Sequence, residues 1–222
     1  MNKLFKEILG FEIQNKKLYE KAFIHKSAID ETHEESNERL EFIGDSVLGL
    51  VVANYLYEKY PHKNEGFLTR IRTKMVSGKA LSKIASELNF HEFIKMNEKG
   101  LKNEWNKNPR LLEDALESVI GAIFVDKGFK EAKMFVETNI ISTFKEELLL
   151  EDTNYKDILM RFSQAKQFTL PTYKLSNTNN KEFTIQVFIN DRIIGEGVNK
   201  NKKQAEQHAA HRALRCFNLL KV

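Results

Sequence analysis

The segment Asn37-Glu38-Arg39-Leu40-Glu41-Phe42-Ile43-Gly44-Asp45-Ser46-Val47-Leu48 can do chemistry if it is helical. At 100° per residue, Glu41 and Asp45 then lie about 60° and about 20° from Glu38, so three carboxylates share one narrow face. Apolar residues fill the gaps between them. Acids crowded onto a packed face repel one another unless a positive charge neutralises them. A hard divalent cation does so well, because carboxylate oxygens are its preferred ligands.

Glu113-Asp114-Ala115-Leu116-Glu117 repeats the pattern, with Asp114 and Glu117 at i and i+3. Gly44 and Gly121 stand beside the two acidic groups. A glycine inside a helix costs about 1 kcal/mol relative to alanine, and close helix packing is one reason to accept it. If the two helices pack through these glycines, Glu38, Glu41, Asp45, Asp114 and Glu117 converge on one metal site. Either acidic group alone also reads as a solvated helix face, where first-turn acids suit the helix dipole and Glu35–Arg39 is an ordinary i, i+4 pair. The two groups together, each inside an apolar segment, favour the metal. Rival sites lack their parts. There is no His-Glu-x-x-His, and Cys216, expected to be a buried helical residue, has no partner at zinc-ligand spacing. Oxygen-only ligation points to magnesium, with manganese as a substitute, acting on phosphates.

A second feature is basic. In Gly195-Glu196-Gly197-Val198-Asn199-Lys200-Asn201-Lys202-Lys203, a strand runs into a helix with Asn201 as its N-cap. Lys200, Lys202 and Lys203 thereby surround a helix N-terminus, where free N–H groups already favour phosphate, although such a run can also be only a solubilising turn.

The elements that must carry these residues follow from periodicity. Residues 1–147 read as helical throughout, with apolar stripes through Leu18–Ile24, Leu40–Leu56, Ile71–Leu88 and Leu111–Ile123. Pro61 and Pro109 fall in polar breaks, and Asn97–Arg110 reads as a long connecting loop in which Trp105 packs over a helix end. After Glu151 the pattern changes. A helix through Tyr155–Ala165 is stopped by Pro171, and strands follow at Thr172–Leu175, Glu182–Ile189 and Arg192–Val198, with Asn190-Asp191 as a turn. An alanine-rich helix from Asn201 to Leu220 closes the chain. The expected architecture is an all-α domain over 1–147, a linker over 148–153, and a small α-β-β-β-α domain over 154–222.

Composition limits the alternatives. The 222 residues suit one or two domains, and one cysteine excludes a disulfide scaffold. The longest apolar-looking run, Val47–Tyr57, is short of the roughly 18 residues of a membrane span, and the first residues lack a continuous apolar leader, so a cytoplasmic protein without membrane contact is expected. Residues 1–150 carry 23 Lys+Arg against 24 Asp+Glu, and residues 151–222 carry 12 against 7. The basic excess of the last third suits a polyanion-binding appendage.

The chain resembles ribonuclease III. Asn37–Leu48 is similar to that family's signature, with Ile43 where leucine is expected. His25-Lys26-Ser27-Ala28, Asn64-Glu65-Gly66 and Asp114-Ala115-Leu116-Glu117 resemble its other blocks in order, and residues 154–222 resemble a double-stranded-RNA-binding domain. The resemblance implies a magnesium-dependent endoribonuclease of double-stranded RNA, leaving 5′-phosphate and 3′-hydroxyl ends with short 3′ overhangs. It implies metal ligation by Glu41, Asp114 and Glu117, with Asp45 ligating or orienting the attacking water. Asp45 and Glu117 become the residues most needed for chemistry, and Glu38 and Glu65 supporting acids at the RNA groove. It implies a homodimer with Phe42 inserted into the partner, a residue that otherwise reads as a core aromatic. It implies phosphate contacts by Lys200, Lys202 and Lys203, a minor-groove contact by Gln164, and processing of ribosomal RNA precursors and of some messenger and transfer RNA transcripts. Met160-Arg161 departs from the usual Gln-Glu, and Ser118 from the usual alanine. Two other readings are a non-cleaving double-stranded-RNA-binding protein, which retention of all five helical acids and Glu65 disfavours, and a phosphohydrolase of small nucleotides, which leaves the basic domain without a purpose.

Overall fold

The computed structural model describes residues 8–29, 35–146, 154–179 and 181–219. The chain divides into two compact units, one helical and one mixed, meeting between Leu150 and Glu151. The expected linker, 148–153, lies outside the described residues.

In the first unit the described helices are α1 (Lys16–Lys21), α2 (Glu38–Lys59), α3 (Glu65–Met75), α4 (Gly78–Glu87), α5 (Glu98–Lys102), α6 (Pro109–Lys127) and α7 (Phe129–Asn139). Short 3-10 turns stand at Lys26–Ala28, Phe90–Glu92, Trp105–Lys107 and Ile141–Thr143. The helix starts are legible as caps. Asn64 accepts from the N–H of Phe67, Ser77 from Ala80, Asn97 from Gly100 and Asn108 from Arg110. Pro109 occupies the first turn of α6, where its missing N–H costs nothing. The helices α2 and α6 form the centre, and Leu48, Val52, Leu116, Val119, Ile120 and Ile123 are fully buried between their neighbours. Asp126, at the end of α6, accepts from the N–H groups of Gln14 and Asn15 and from the Tyr19 hydroxyl, tying the N-terminal segment to the core.

Several expectations are corrected here. Asn97–Arg110 is not a continuous loop: Asn97 nucleates α5, Trp105 opens a 3-10 turn, and Asn108-Pro109 starts α6. Trp105 is half-exposed. Glu35 pairs with Lys21 rather than with Arg39. As a complete helix, α2 is long and apolar enough to cross a bilayer by length and composition, which the shorter run Val47–Tyr57 did not suggest. Its buried stripe from Leu40 to Leu56 is instead spent on the protein core.

The second unit runs α8 (Tyr155–Ala165), β1 (Thr172–Asn179), β2 (Glu182–Ile189), β3 (Arg192–Asn199) and α9 (Lys202–Cys216), the expected α-β-β-β-α order. The strands form an antiparallel meander, with register shifts at Leu175/Asn177 and Val187/Phe188. Asn190 and Asp191 both take positive φ in the two-residue β2–β3 turn, as their residue types favour. Pro171 does not stop α8. The helix ends at Ala165, and Gln167 adopts a left-handed φ of 57°, which turns the chain before the proline is reached. The helix α9 lies so close to β3 that a Cβ on Gly195 or Gly197 would meet the backbone of Ala209 or Ala205. Fully buried Ala205, Ala209, Ala210 and Ala213 make that approach possible. Cys216, expected to be buried, is exposed: it shares the face of the alanine stripe but is the last residue of α9.

A carboxylate cluster and a basic helix start

The two acidic faces meet because their helices touch at glycine. A Cβ on Gly44 would run into the carbonyl of Glu117, and one on Gly121 into the carbonyl of Leu40. Side chains at these positions would hold α2 and α6 apart. Ser118 adds a tie: its buried hydroxyl donates to the Asn37 carbonyl at 3.4 Å, joining α6 to the start of α2.

At this crossing Glu41, Asp114 and Glu117 bring carboxylate oxygens within 4.8 Å of one another. All three are half-buried, and their electrostatics show the strain of that proximity. Burial, then the charges of Asp45, Glu113, Glu41 and Asp114, push the Glu117 carboxyl up to about 8. Burial and then Asp114 raise Glu41, and burial raises Asp114 despite the opposing charge of Arg110. Three oxygen donors whose carboxyls are all raised, and whose charged forms a cation would favour, fit a hard divalent ion.

The other expected acids are arranged differently. Asp45 is exposed and borders the cluster, where its charge acts on Glu117 and Glu113. Glu38 is exposed and already partnered. The Ser36 hydroxyl donates to it at 3.1 Å and Lys26 lies 3.3 Å away, contacts that lower its carboxyl, the Ser36 bond most. Glu65 heads α3, where it accepts from the Thr69 hydroxyl at 2.8 Å. It lines a pocket with Leu50, Asn54 and Tyr57. Asn54 is nine residues beyond Asp45 on α2, roughly 13 Å along the axis, so within one chain Glu65 stands away from the cluster. Phe42 is 76% exposed and shares a groove with Leu40, Ile43 and Val125. It is not a core aromatic.

Glu113 was missed at the level of sequence. It borders the cluster, raised by burial and by the charge of Asp114, and packs over Gly78 at the start of α4. Its i, i+4 spacing to Glu117 is the signal that could have found it.

In the second unit the Asn201 side chain accepts from the N–H groups of Lys203 and Gln204, making the cap expected of it. Lys200, Lys202 and Lys203 are all exposed around this helix start, and the Lys202 ammonium rests 5.1 Å from the centre of the Phe183 ring. Gln164 is exposed on the last turn of α8. Of the two departures on that helix, Met160 is exposed and Arg161 pairs with Asp157 at 2.9 Å.

Comparison with known proteins places both units. Residues 15–144 match the family model described as ribonuclease-III-like, and residues 155–215 match the double-stranded RNA binding motif. Ribonuclease 3 of Listeria innocua is 35% identical over 215 residues, covering 94% of each chain. A protein of Paramecium bursaria Chlorella virus 1 is 40% identical over 210 residues, 93% of this chain and 76% of that one. Among solved structures, the nuclease domain of ribonuclease III from Campylobacter jejuni aligns with a TM-score of 0.61 at 38% identity, over 65% of this chain and 99% of that one. That structure is described as showing flexibility in a region involved in dimer formation.

Proposed function

The chain belongs to the ribonuclease III family and is an endoribonuclease of double-stranded RNA, and from that premise we propose how its own residues perform the cut. The observation that carries the reading is the half-buried triad Glu41, Asp114 and Glu117, whose oxygens converge within 4.8 Å. These three residues hold a magnesium ion, with manganese as a substitute. Bound there, a divalent ion would supply Lewis-acid polarisation of the phosphate and a lowered pKa for a water nucleophile. Asp45, exposed beside the triad, accepts a hydrogen bond from the attacking water and orients it. Glu38 and Glu65 border the RNA groove as supporting acids. Cleavage leaves a 5′-phosphate and a 3′-hydroxyl.

The second unit binds duplex RNA. Duplex RNA is read through phosphates and 2′-hydroxyls. Lys200, Lys202 and Lys203 supply the phosphate contacts, and Gln164 reaches the minor groove. We place the boundary between the two domains at 148–153.

The working form is a homodimer cutting both strands with a short 3′ overhang. Exposed Phe42, with exposed Leu50 and Tyr57 on the same helix, supports it, since such large apolar groups favour an interface. An RNA substrate and a single cysteine suit the cytoplasm. Its natural duplexes are the paired stems of ribosomal RNA precursors and of some messenger and transfer RNA transcripts.

The test is a long RNA duplex incubated with the purified chain. Magnesium should give short duplexes with 5′-phosphates, and chelation should stop cleavage while leaving binding in a gel-shift assay. Cleavage that survives chelation would remove the metal reading. Binding without cleavage under any divalent ion would favour the non-cleaving RNA-binding protein instead.

A further inference from the structure

His25 has no part in the roles above, yet the fold holds it in place. Its N–H donates to the Lys95 carbonyl at 2.9 Å, and the Lys95 N–H donates to Phe23 at 2.8 Å. On the other side the Asn37 N–H donates to Ile24 at 2.9 Å. The segment 23–25 is therefore clamped between residue 95 and the start of α2.

The ring is oriented as well. Nδ1 accepts from the Ser27 N–H at 3.2 Å and lies 2.9 Å from the Ser27 hydroxyl. A nitrogen that accepts from a backbone N–H carries no proton, so the neutral ring is protonated on Nε2. His25 and Asp114 line the same small cavity, with Asn37, Phe23, Ile94, Leu111 and Ala115 completing the wall. Its volume is about 10 Å³, room for one water centre. The polar residues of the wall are His25, Asn37 and Asp114, whose side chains carry an Nε2–H donor, an amide and a carboxylate acceptor. Buried waters are held by about three such groups.

We propose that His25 is a positioning residue for Asp114, acting through a single water in this cavity. The water accepts from Nε2–H and donates to the Asp114 carboxylate, fixing which oxygen turns toward Glu41 and Glu117. The inference rests on Asp114 being a metal ligand. Partners of this kind orient the ligands of metal sites, and losing one typically weakens metal binding about 10–100-fold.

Two substitutions separate positioning from local structure. His25→Asn keeps an acceptor where Nδ1 stands and removes the distant donor. His25→Gln keeps a donor near the place of Nε2 and gives up the acceptor to Ser27. The probe is Mn²⁺, titrated calorimetrically into the full chain without RNA. His25→Asn should lose about 10–100-fold in Mn²⁺ affinity, while His25→Gln stays within about threefold of the unaltered protein. A purely structural histidine gives the opposite order. Unchanged Mn²⁺ affinity in His25→Asn, or a larger loss in His25→Gln than in His25→Asn, would overturn the proposal. Asp114→Asn is titrated alongside. If it binds Mn²⁺ as well as the unaltered protein, the ligand assignment of Asp114 is what fails.

Discussion

Glu117 sits where burial and four other acids push its carboxyl up to about 8, whereas Lys200, Lys202 and Lys203 sit in open solvent around the first turn of α9. In the function proposed above both surfaces serve phosphates, and they are built on opposite terms. The acidic cluster is assembled against its own repulsion by two helices locked at Gly44 and Gly121, so the fold supplies the strain that a cation relieves. The basic turn stores nothing. One asparagine caps the backbone of the helix start, and the attraction of its lysines for a polyanion is gained only on contact. The first design suits a fixed geometry for bond breaking, and the second suits affinity that tolerates many sequences and positions along a duplex.

The largest effect that would sharpen this contrast is on the chemical step. Glu117→Gln should cut RNA about a thousandfold more slowly or worse, about 4 kcal/mol in barrier, while duplex binding in a gel shift stays near that of the unaltered protein. Equal cleavage would take Glu117 out of the machinery.

Next in size is the packing that creates the cluster. Gly121→Ala drives a methyl group into the Leu40 carbonyl and should destabilise the helical unit by about 2 kcal/mol, visible as a lower melting temperature. An unaltered melt would mean that α2 and α6 need no glycine contact.

Substitution of both Lys202 and Lys203 by alanine should weaken duplex binding by about tenfold and lower the salt slope by about 0.9 per lost phosphate contact, taking the duplex-DNA coefficient as a proxy. The cleavage rate at saturating RNA should hold. A steady slope would move the phosphate contacts elsewhere.

The smallest effect is on pH dependence without metal. The Glu117 carboxyl titrates near 8 in the fold against an ordinary 4.5. Between those values the folded state binds more protons than the unfolded chain, so stability is fully present below about pH 4.5 and falls as the pH rises toward about 8. Melts in chelator should show this decline. Magnesium should flatten it, and so should Glu117→Gln. A metal-free protein that gains stability over this range would contradict the strained cluster.

Much of this was legible in the residues. The β2 strand and the Asn201 cap were read at their observed positions because period-two alternation and capping chemistry are local. The three α2 acids share a face because helix geometry alone dictates it. The helical turns inside Asn97–Arg110 were not legible, since short helices capped by Asn97 and Asn108 have no apolar period to betray them. Cys216 lies on the buried face of α9 by periodicity, and its exposure follows from its place at the end of the helix, which periodicity does not reveal.

By itself, then, the sequence determined which side chains can chelate a cation and which can meet phosphate, and it placed each set on one element. Only the tertiary structure decided that Glu41, Asp114 and Glu117 form the tight group, that Asp45 borders it, and that Glu38 is drawn off by Lys26 and Ser36. It also brought His25 and Asp114 to one cavity. The reason is physical. Angles around a single helix follow from its pitch, whereas distances between helices are set by which residues allow the backbones to touch, and here those residues are Gly44 and Gly121.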